Sequence, residues 1–441
     1  MYRYKDDFRK SELETLAVKH NLGRVLFLVT IATATSMTFG QASKKGAEAG
    51  VPDWGQFRGP KRDGISTETG IAKEWPAGGP PLLWKATGIG GGYSSVSVAG
   101  KFVFTMGDVG NSCNLIAISA ADGKIAWQAK VGQTGGGGGY PGPRCTPASD
   151  GRMVFAIGQY GDLVAVNAAN GAEVWHKNMS SLGGEMMSGW GYSESPLLDG
   201  PMLLVTPGGS KGTVAALNKA NGAPVWQSSE LKDKAAYSSL VPVDIGNVPQ
   251  YLVFTDKSIA GITKMGKLAW RADRSGATAV IPTPVMSKDN IVFVSSGYGV
   301  GAHAFQVTAA GGQFKAQELY AQKQMESHIG GFVVFGEHVY GPDNGSLKCA
   351  EIKTGKVVWQ NGCVGKGSIT AADGMLFVRG DNKGGSSIAL VEATPDGYKE
   401  KGKFAQPSPS GKETWAYPVV YGGKLYLRDQ DTLYCYNVAG K

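Results

Sequence analysis

The chain has 441 residues, of which 42% are hydrophobic and only 18% are charged, so it can build a large apolar core. Its 66 glycines are about double the usual share and indicate many tight turns. The formal net charge is +8, but no basic run interleaved with aromatic residues occurs, so the sequence gives no support to nucleic-acid binding.

Residues 1–42 have the features of a signal peptide or an N-terminal anchor. Arg24 precedes an apolar stretch, Val25–Thr35, which is too short to span a bilayer comfortably. Gly40 and Ala42 are the small residues that signal-peptide cleavage requires. We therefore expect a periplasmic or secreted protein whose mature form begins near Ser43 and contains no transmembrane domain.

A short segment that ends in tryptophan, with a glycine four residues earlier, recurs five times along the chain. The copies are Leu115–Trp127, Leu163–Trp175, Val214–Trp226, Ile259–Trp270 and Leu347–Trp359. Most copies are spaced by about 40 to 50 residues and are built from short strands and tight turns, which is typical of a β-propeller. The sequence therefore predicts a ring of similar blades.

Each repeat is predicted to form four antiparallel strands, A to D, joined by hairpin turns such as Asp122–Gly123. Eight starts of the inner strand A can be placed, near Tyr93, Arg144, Tyr192, Tyr237, Ile281, His328, Ser368 and Trp415. The predicted fold is all-β, a single eight-bladed β-propeller over residues 79–441. Residues 43–78 are expected to form an N-terminal extension over the ring.

The eighth repeat ends after three strands, at Lys441, and lacks its outer strand. The segment Pro81–Ala86, which contains Trp84, is an isolated strand ahead of the first repeat. Pairing of this segment with the strand that contains Cys435 would complete the last blade and leave no exposed sheet edge. The sequence therefore predicts closure of the ring by its N-terminal strand.

The repeated tryptophans occupy one fixed place in each blade and are expected to pack between adjacent blades, where their rings bury a large apolar area. We assign this structural docking role to Trp84, Trp127, Trp175, Trp226, Trp270 and Trp359.

The loops that lead into the inner strands converge at one mouth of a propeller, where ligands usually bind. These loops carry an unusual set of aromatic and charged side chains: Tyr140, Arg144, Trp190, Tyr192, Glu194, Tyr237, His328 and Trp415. One hypothesis is a polar-ligand site in which Arg144 pairs with an anionic group. The other is that Arg144 and Glu194 pair with each other while the aromatic rings fill the channel. No metal-ligand spacing is found, and Glu194 is the clearest carboxylate in these loops.

The repeats resemble the pyrroloquinoline-quinone (PQQ)-like propeller repeat, whose blades carry a docking element of the form A-x-D/N-x-x-T/N-G-K-x-x-W. Asp53–Ser66 and Gly79–Val98 are similar to segments of exported bacterial members of that family. The resemblance covers Asp53 to Lys441 and implies a fold shared with quinoprotein dehydrogenases and with outer-membrane-assembly propeller lipoproteins. It says little about function, because the repeat consensus is structural.

Two functions are consistent with this resemblance. The first is a non-catalytic binding or scaffold propeller of the cell envelope, expected to be monomeric and without a cofactor, whose partner is an envelope protein or a small polar ligand. The second is a PQQ-dependent alcohol or polyol dehydrogenase with PQQ and Ca²⁺. The chain lacks the adjacent cysteine pair and the CxxCH motif of many such enzymes, and the lipid-modified cysteine of the scaffold lipoproteins. Catalytic residues are left unassigned.

Overall fold

The chain forms a ring of β-sheets, seen in a computed structural model that describes residues 54–276, 278–381 and 386–440. The signal peptide or anchor expected at residues 1–42 lies outside the described residues. No helix in the described ranges has the length and apolar character needed to cross a bilayer. A single turn of 3-10 helix, Met179–Leu182, is present among these residues.

Two strands precede the repeats, β1 (Ile65–Ser66) and β2 (Leu82–Thr87). Blade 1 consists of β3 (Ser97–Ala99), β4 (Phe102–Val109), β5 (Ser112–Ser119) and β6 (Ile125–Gln133). Blade 2 consists of β7 (Ala148–Ser149), β8 (Met153–Ile157), β9 (Asp162–Asn167) and β10 (Glu173–Asn178). Blade 3 consists of β11 (Leu197–Asp199), β12 (Met202–Val205), β13 (Ala215–Asn218) and β14 (Pro224–Gln227). Blade 4 consists of β15 (Val241–Ile245), β16 (Val248–Phe254), β17 (Ser258–Thr263) and β18 (Leu268–Asp273).

The second half of the ring repeats this arrangement. Blade 5 consists of β19 (Val285–Met286), β20 (Ile291–Ser296), β21 (Gly301–Ala310) and β22 (Gln313–Gln322). Blade 6 consists of β23 (Val333–Phe335), β24 (His338–Pro342), β25 (Leu347–Glu351) and β26 (Val357–Asn361). Blade 7 consists of β27 (Gly367–Ala372), β28 (Met375–Gly380), β29 (Ser387–Glu392) and β30 (Glu400–Ala405). Blade 8 contains β31 (Val419–Tyr421), β32 (Lys424–Asp429) and β33 (Thr432–Asn437).

The eight-bladed propeller predicted from the sequence is confirmed. Seven blades are built from four antiparallel strands that follow one another along the chain, and blade 7 carries β1 as a fifth, parallel strand on its inner edge. Seven of the eight inner strands begin later than predicted, and the inner strand of blade 7 begins at Gly367, beside the predicted Ser368. The first begins at Ser97, for example, so Tyr93 lies in the preceding loop rather than in the strand.

The N-terminal strand β2 completes blade 8, as the sequence predicted. It pairs antiparallel with β33, and Trp84 lies opposite Cys435 in the register. The order of this sheet is β2, β33, β32 and β31, so the outermost strand comes from the start of the repeats and the other three from the end. This pairing joins the two ends of the repeat region and covers the edge that β33 would otherwise expose.

The repeated tryptophans contact the glycine turn of the next blade. Gly123 of blade 1 sits against the Trp84 ring of blade 8, so close that an added Cβ atom would lie 2.6 Å from Cε3 of that ring. The same pairing recurs around much of the ring, with Gly171 against Trp127, Gly222 against Trp175 and Gly266 against Trp226. Several indoles also donate a hydrogen bond to the next blade, for example from Trp127 Nε1 to the Ala168 carbonyl at 3.1 Å.

Blades 4, 5 and 7 depart from this pattern, and the outer strand β30 of blade 7 contains no tryptophan. Blade 5 has Tyr320 in place of a tryptophan, and its hydroxyl donates to the Ile352 carbonyl of blade 6 at 3.0 Å. Trp270 lies in the apolar layer between blades 4 and 5 but donates from Nε1 to Gln250 of its own blade, at 2.8 Å. Trp359 keeps the repeated arrangement, with Nε1 donating to the Thr394 carbonyl of blade 7 at 2.9 Å.

Residues 54–66 plug the back of the central channel, where the inner strands end. Their backbone and side chains bond to inner strands around the ring, through Val98 of blade 1, Ser149 of blade 2, Leu198 of blade 3 and Ala371 of blade 7. Arg58 reaches further, donating to the Phe332 carbonyl beside blade 6. Because these contacts come from opposite sides of the ring, the segment must cross the channel axis and close it from behind.

Candidate functional site

The front mouth is the end of the channel at which the inner strands begin. In seven blades the residue four positions before the inner strand lines one cavity of about 370 Å³. These residues are Tyr93, Arg144, Ser193, Tyr237, Ile281, Ile329 and Trp415. A repeated position in the sequence therefore becomes a ring of side chains around the front of the channel.

A second ring lies deeper in the same cavity. It is formed two positions before the inner strand and consists of Ser95, Thr146, Ser195, Ser239 and Tyr417. Side chains of an extended segment alternate in direction, so positions two and four before the strand face the channel together. Proline follows Thr146, Ser195 and Tyr417, and a residue before proline is held extended.

Six of the eight side chains that the sequence assigned to the mouth line this cavity: Tyr140, Arg144, Trp190, Tyr237, His328 and Trp415. Tyr192 and Glu194, which lie five and three positions before β11, are absent from the lining. Tyr192 donates from its hydroxyl to the Pro207 carbonyl at 3.0 Å. Glu194 is buried and accepts from the backbone N–H of Thr206. Both residues, which the sequence assigned to the mouth, therefore lie outside the lining of this cavity.

Five aromatic rings form a continuous arc along one wall of the cavity. Tyr93 stacks on Trp415 with centroids 4.3 Å apart, and Trp415 contacts Tyr140 at 5.0 Å. Tyr140 continues to Trp190 at 6.1 Å, and Trp190 to Tyr237 at 6.2 Å. Tyr140, Trp190 and Trp415 are only half-buried, so parts of these rings are open to the cavity. One hypothesis from the sequence was that the aromatic rings fill the channel. The rings instead line a wall and leave the cavity open.

Arg144 holds the front loops in place. Its Nη2 donates to the Tyr140 carbonyl at 2.8 Å, and Nη1 lies 3.4 Å from the carbonyls of Gly142 and Trp190. The guanidinium also lies 5.5 Å from the centre of the Tyr93 ring. Burial lowers the pKa of Arg144 from its usual value. Within the described ranges the hydrogen bonds of Arg144 go to backbone carbonyls and its electrostatic neighbours are Tyr93 and Tyr237, so the pairing with Glu194 that the sequence left open is not formed.

The opposite wall carries charged side chains that the sequence analysis missed. Asp381 accepts from the backbone N–H of Thr414 at 2.9 Å and from Trp415 Nε1 at 3.2 Å. It also pairs with Lys366 at 3.4 Å. Asp381 therefore fixes the orientation of the Trp415 ring. His328 of the blade 6 loop lines the same cavity, and burial lowers its pKa, which favours the neutral imidazole.

Hydroxyl groups form the floor of the cavity. Ser195 Oγ accepts from the Thr146 N–H at 2.9 Å, and Ser239 Oγ accepts from the Ser195 N–H at 2.9 Å. Each serine oxygen is thus used as an acceptor of a backbone donor. Thr146 differs, because its side chain is buried and Oγ1 has no hydrogen-bond partner among the described residues. An unpartnered buried hydroxyl costs stability unless a ligand or a water satisfies it.

The plug lies behind this floor and makes the cavity blind. Phe57 lines the cavity and meets Tyr417 edge to face, with centroids 5.2 Å apart. Behind it Arg62 is fully buried and donates to the Ser195 carbonyl at 2.7 Å. Burial lowers the pKa of Arg62 to about 10 and raises the pKa of Glu194 to about 7. Each of these two groups partly opposes the other's shift through its charge.

Several of these residues carry a sequence signal that could have placed them. Pro147, Pro196 and Pro418 each stand immediately before an inner strand. Aligning the loops on these prolines places Ser193, rather than Tyr192, in register with Arg144 and Trp415. Phe57 has no such signal because it belongs to the plug. Lys366 and Asp381 have none because they belong to blade 7, whose inner strand follows Lys366 rather than a proline.

The side chains at the cavity do not form the ligand set that Ca²⁺ with a quinone cofactor would need. In the described part of the chain, no group of three or more His, Cys, Asp or Glu side chains is placed to hold a metal ion. Asp381 lines the cavity, but its oxygens already accept from Thr414 and Trp415. All five cysteines are free, so no disulfide is available to face a cofactor.

Comparisons with known proteins agree with the fold. The structure is similar to BamB from Moraxella catarrhalis, with a TM-score of 0.56 and 14% identity, covering 81% of this chain and 99% of that one. It is similar to Sqt1 from Saccharomyces cerevisiae, with a TM-score of 0.57 and 11% identity over 82% of this chain and 100% of that one. The quinohemoprotein alcohol dehydrogenase of Comamonas testosteroni gives a TM-score of 0.50 and 12% identity over 88% and 81%.

At these identities the structural similarities establish the propeller and nothing finer. No curated protein sequence matches the chain. A family model described as outer membrane protein assembly factor BamB matches residues 111–361, which is more than half of the chain. The matched residues run from blade 1 to blade 6 and contain all five repeats that have a glycine turn and end in tryptophan. The chain therefore belongs to the PQQ-like repeat family of BamB-type β-propellers.

Proposed function

We propose that this protein is a non-catalytic binding propeller whose ligand occupies the blind cavity at the front mouth. One observation carries the proposal: a cavity with aromatic walls has on its floor Thr146, whose buried hydroxyl has no hydrogen-bond partner among the described residues. A concave site with apolar walls and a few convergent polar groups is the usual form of a small-molecule site. The cavity volume of about 370 Å³ is large enough for a compact organic ligand.

The charged side chains at the mouth support a binding role rather than a catalytic one. Arg144 directs its guanidinium at backbone carbonyls of its own loops, and Asp381 accepts from Trp415 and a backbone N–H. Such contacts hold the walls of a site in one shape before a ligand arrives. A preformed wall lowers the entropy that must be lost on binding.

The location that fits this role is the cell envelope. The family description refers to outer membrane protein assembly, and residues 1–42 resemble a targeting segment. We expect the mature protein to begin near Ser43. N-terminal sequencing of protein recovered from cell fractions tests this, and an intact Met1 on cytoplasmic protein would contradict it.

The binding role is tested by ligand-observed NMR with a set of small polar and aromatic fragments. Fragments that bind the cavity should show saturation transfer from the wild-type protein and lose it with Trp190→Ala. They should keep it with Met265→Ala, which removes an exposed side chain outside the cavity lining. Binding that is equal in both variants, or no binding at all, would contradict the proposal. Titration with PQQ and Ca²⁺ tests the dehydrogenase alternative, and quenching of tryptophan emission that requires both would favour it.

A further inference from the structure

A second cavity adjoins the first at the front mouth. It measures about 510 Å³ and lies towards blades 1 and 8, between the glycine-rich loop at Gly138 and the loop that contains Lys412. Tyr93, Tyr140 and Glu413 line both cavities, so they form a shared wall. We call the first cavity the inner chamber and the second the outer chamber. A ligand that fills both must be extended and must pass this wall.

The plug decides how such a ligand can be placed. Phe57 closes the back of the inner chamber, so a linear ligand cannot thread through the channel. Only the end of a chain can occupy the inner chamber, while the next unit lies in the outer chamber. The geometry therefore fits recognition of a chain end.

The walls indicate the chemistry of the chain. A sugar ring has C–H faces, which pack on aromatic faces, and hydroxyl edges, which need neutral donors and acceptors. The inner chamber supplies both, with Trp190 and Trp415 on the wall and the unpartnered Thr146 hydroxyl on the floor. Ser195 and Ser239 accept from backbone N–H groups, so each retains its own hydroxyl hydrogen for a ligand acceptor.

The outer chamber suits a polar chain without a net charge. Asp108, Lys412, Glu413 and Gln430 all line it, so acidic, basic and amide side chains stand together. Such side chains can accept from and donate to sugar hydroxyls, whereas a chain with charges of one sign would meet side chains of like charge. A neutral sugar chain satisfies both chambers.

We propose that the front mouth binds the end of a neutral oligosaccharide, with the terminal sugar in the inner chamber and the adjoining sugar in the outer chamber. This inference rests on the proposed function, because it names the ligand of the same site. It adds that two sugar units, and no more, are recognised.

The test is calorimetric titration with neutral mono-, di- and trisaccharides of glucose, galactose, mannose and N-acetylglucosamine. In at least one series the disaccharide should bind about tenfold more tightly than the monosaccharide, with little further gain for the trisaccharide. Thr146→Val should weaken both the monosaccharide and the disaccharide by about threefold to tenfold, the value of one hydrogen bond. Thr308→Val, the same change at an exposed position of blade 5, should change neither.

A second variant separates the two chambers. Lys412→Ala lies at the outer chamber alone and should weaken the disaccharide while leaving the monosaccharide unchanged. Equal affinity for mono- and disaccharides would overturn the proposal, as would tighter binding of acidic sugars or of peptide ends. If no sugar binds but fragments bind in a Trp190-dependent way, the ligand class is wrong and the binding role stands. If nothing binds in the cavity, both fail.

Discussion

Arg62 of the N-terminal plug donates from Nη2 to the carbonyl oxygen of Ser195, at 2.7 Å, and so ties the plug to the floor of the inner chamber. The contact joins residues 133 positions apart in the chain. Ser195 also offers its side chain to the cavity and its Oγ to the N–H of Thr146. Ser195 therefore contacts both the plug and the cavity. A substitution that displaces the plug should also change the shape of the cavity.

Arg62→Met should destabilise the protein by about 1–3 kcal/mol, the usual cost of leaving a buried polar group, here the Ser195 carbonyl, without its hydrogen-bond partner. Part of the loss should come from Glu194, because the Arg62 charge partly offsets the effect of burial on the Glu194 pKa. The double variant Arg62→Met with Glu194→Gln should lose less than the single variant, because no buried charge remains unpaired. Urea unfolding measures both. A double variant as unstable as the single one would show that the guanidinium acts through its hydrogen bond alone.

Glu194 makes stability depend on pH in a direction opposite to that of an ordinary ion-paired carboxylate. Burial raises its pKa from 4.5 to about 7, so the folded state binds a proton that the unfolded state releases. The stability from this group is present below about pH 4.5 and is lost as the pH rises through about 7. The unfolding free energy of the wild type should therefore fall between pH 5 and pH 8 relative to Glu194→Gln. Parallel pH profiles for the two proteins would contradict this.

The repeat pattern was sufficient for the fold but not for the register of the site. Glycine turns and tryptophans recur in the sequence because each blade needs the same contact with its neighbour, so blade number and ring closure could be predicted. The mouth depends on the direction of single side chains, and a shift of one residue reverses that direction. In blade 3 the strand start was placed near Tyr192, whereas alignment on Pro196 puts Ser193, one residue later, in register with Arg144.

The plug could not be predicted in its position, because its contacts are non-local and it contains little regular structure. Arg58 and Arg62 adopt left-handed backbone conformations with φ of 63° and 57°, which residues other than glycine seldom adopt. Their charged side chains resemble surface residues in the sequence but are buried in the structure. Each of these arginines donates to a backbone carbonyl of the propeller, Arg58 to Phe332 and Arg62 to Ser195, and these non-local contacts cannot be found in the sequence.

Two neighbouring substitutions test the register of blade 3. Ser193→Phe places a ring in the inner chamber and should reduce fragment or sugar binding by about tenfold or more with little effect on stability. Tyr192→Phe should leave binding unchanged and lower the unfolding free energy by about 1 kcal/mol, because it removes the hydrogen bond to Pro207. Thermal unfolding and NMR titration of both variants decide the matter. The reverse assignment, with Tyr192→Phe affecting binding, would restore the register first predicted.

The closure of the ring depends on the contact between Trp84 and Gly123, and a pair of glycine variants can measure it. Gly123→Ala and Gly374→Ala both add a methyl group at a left-handed position, with φ of 76° and 75°. At Gly374 nothing lies within 4 Å of the new atom, whereas at Gly123 it would lie 2.6 Å from the Trp84 ring. Gly374→Ala therefore reports the backbone strain alone.

Gly123→Ala should cost about 1–3 kcal/mol more than Gly374→Ala, the usual penalty for overpacking a buried contact. The excess should disappear when Trp84→Ala is combined with Gly123→Ala, because the ring that the methyl group meets is then absent. Trp84→Ala by itself should cost about 3–5 kcal/mol through the cavity it leaves. Urea unfolding of the four variants gives the coupling between the two residues. Equal losses at Gly123 and Gly374 would mean that Trp84 of the closing strand does not press on blade 1, and the closure would then depend on the β2–β33 hydrogen bonds alone.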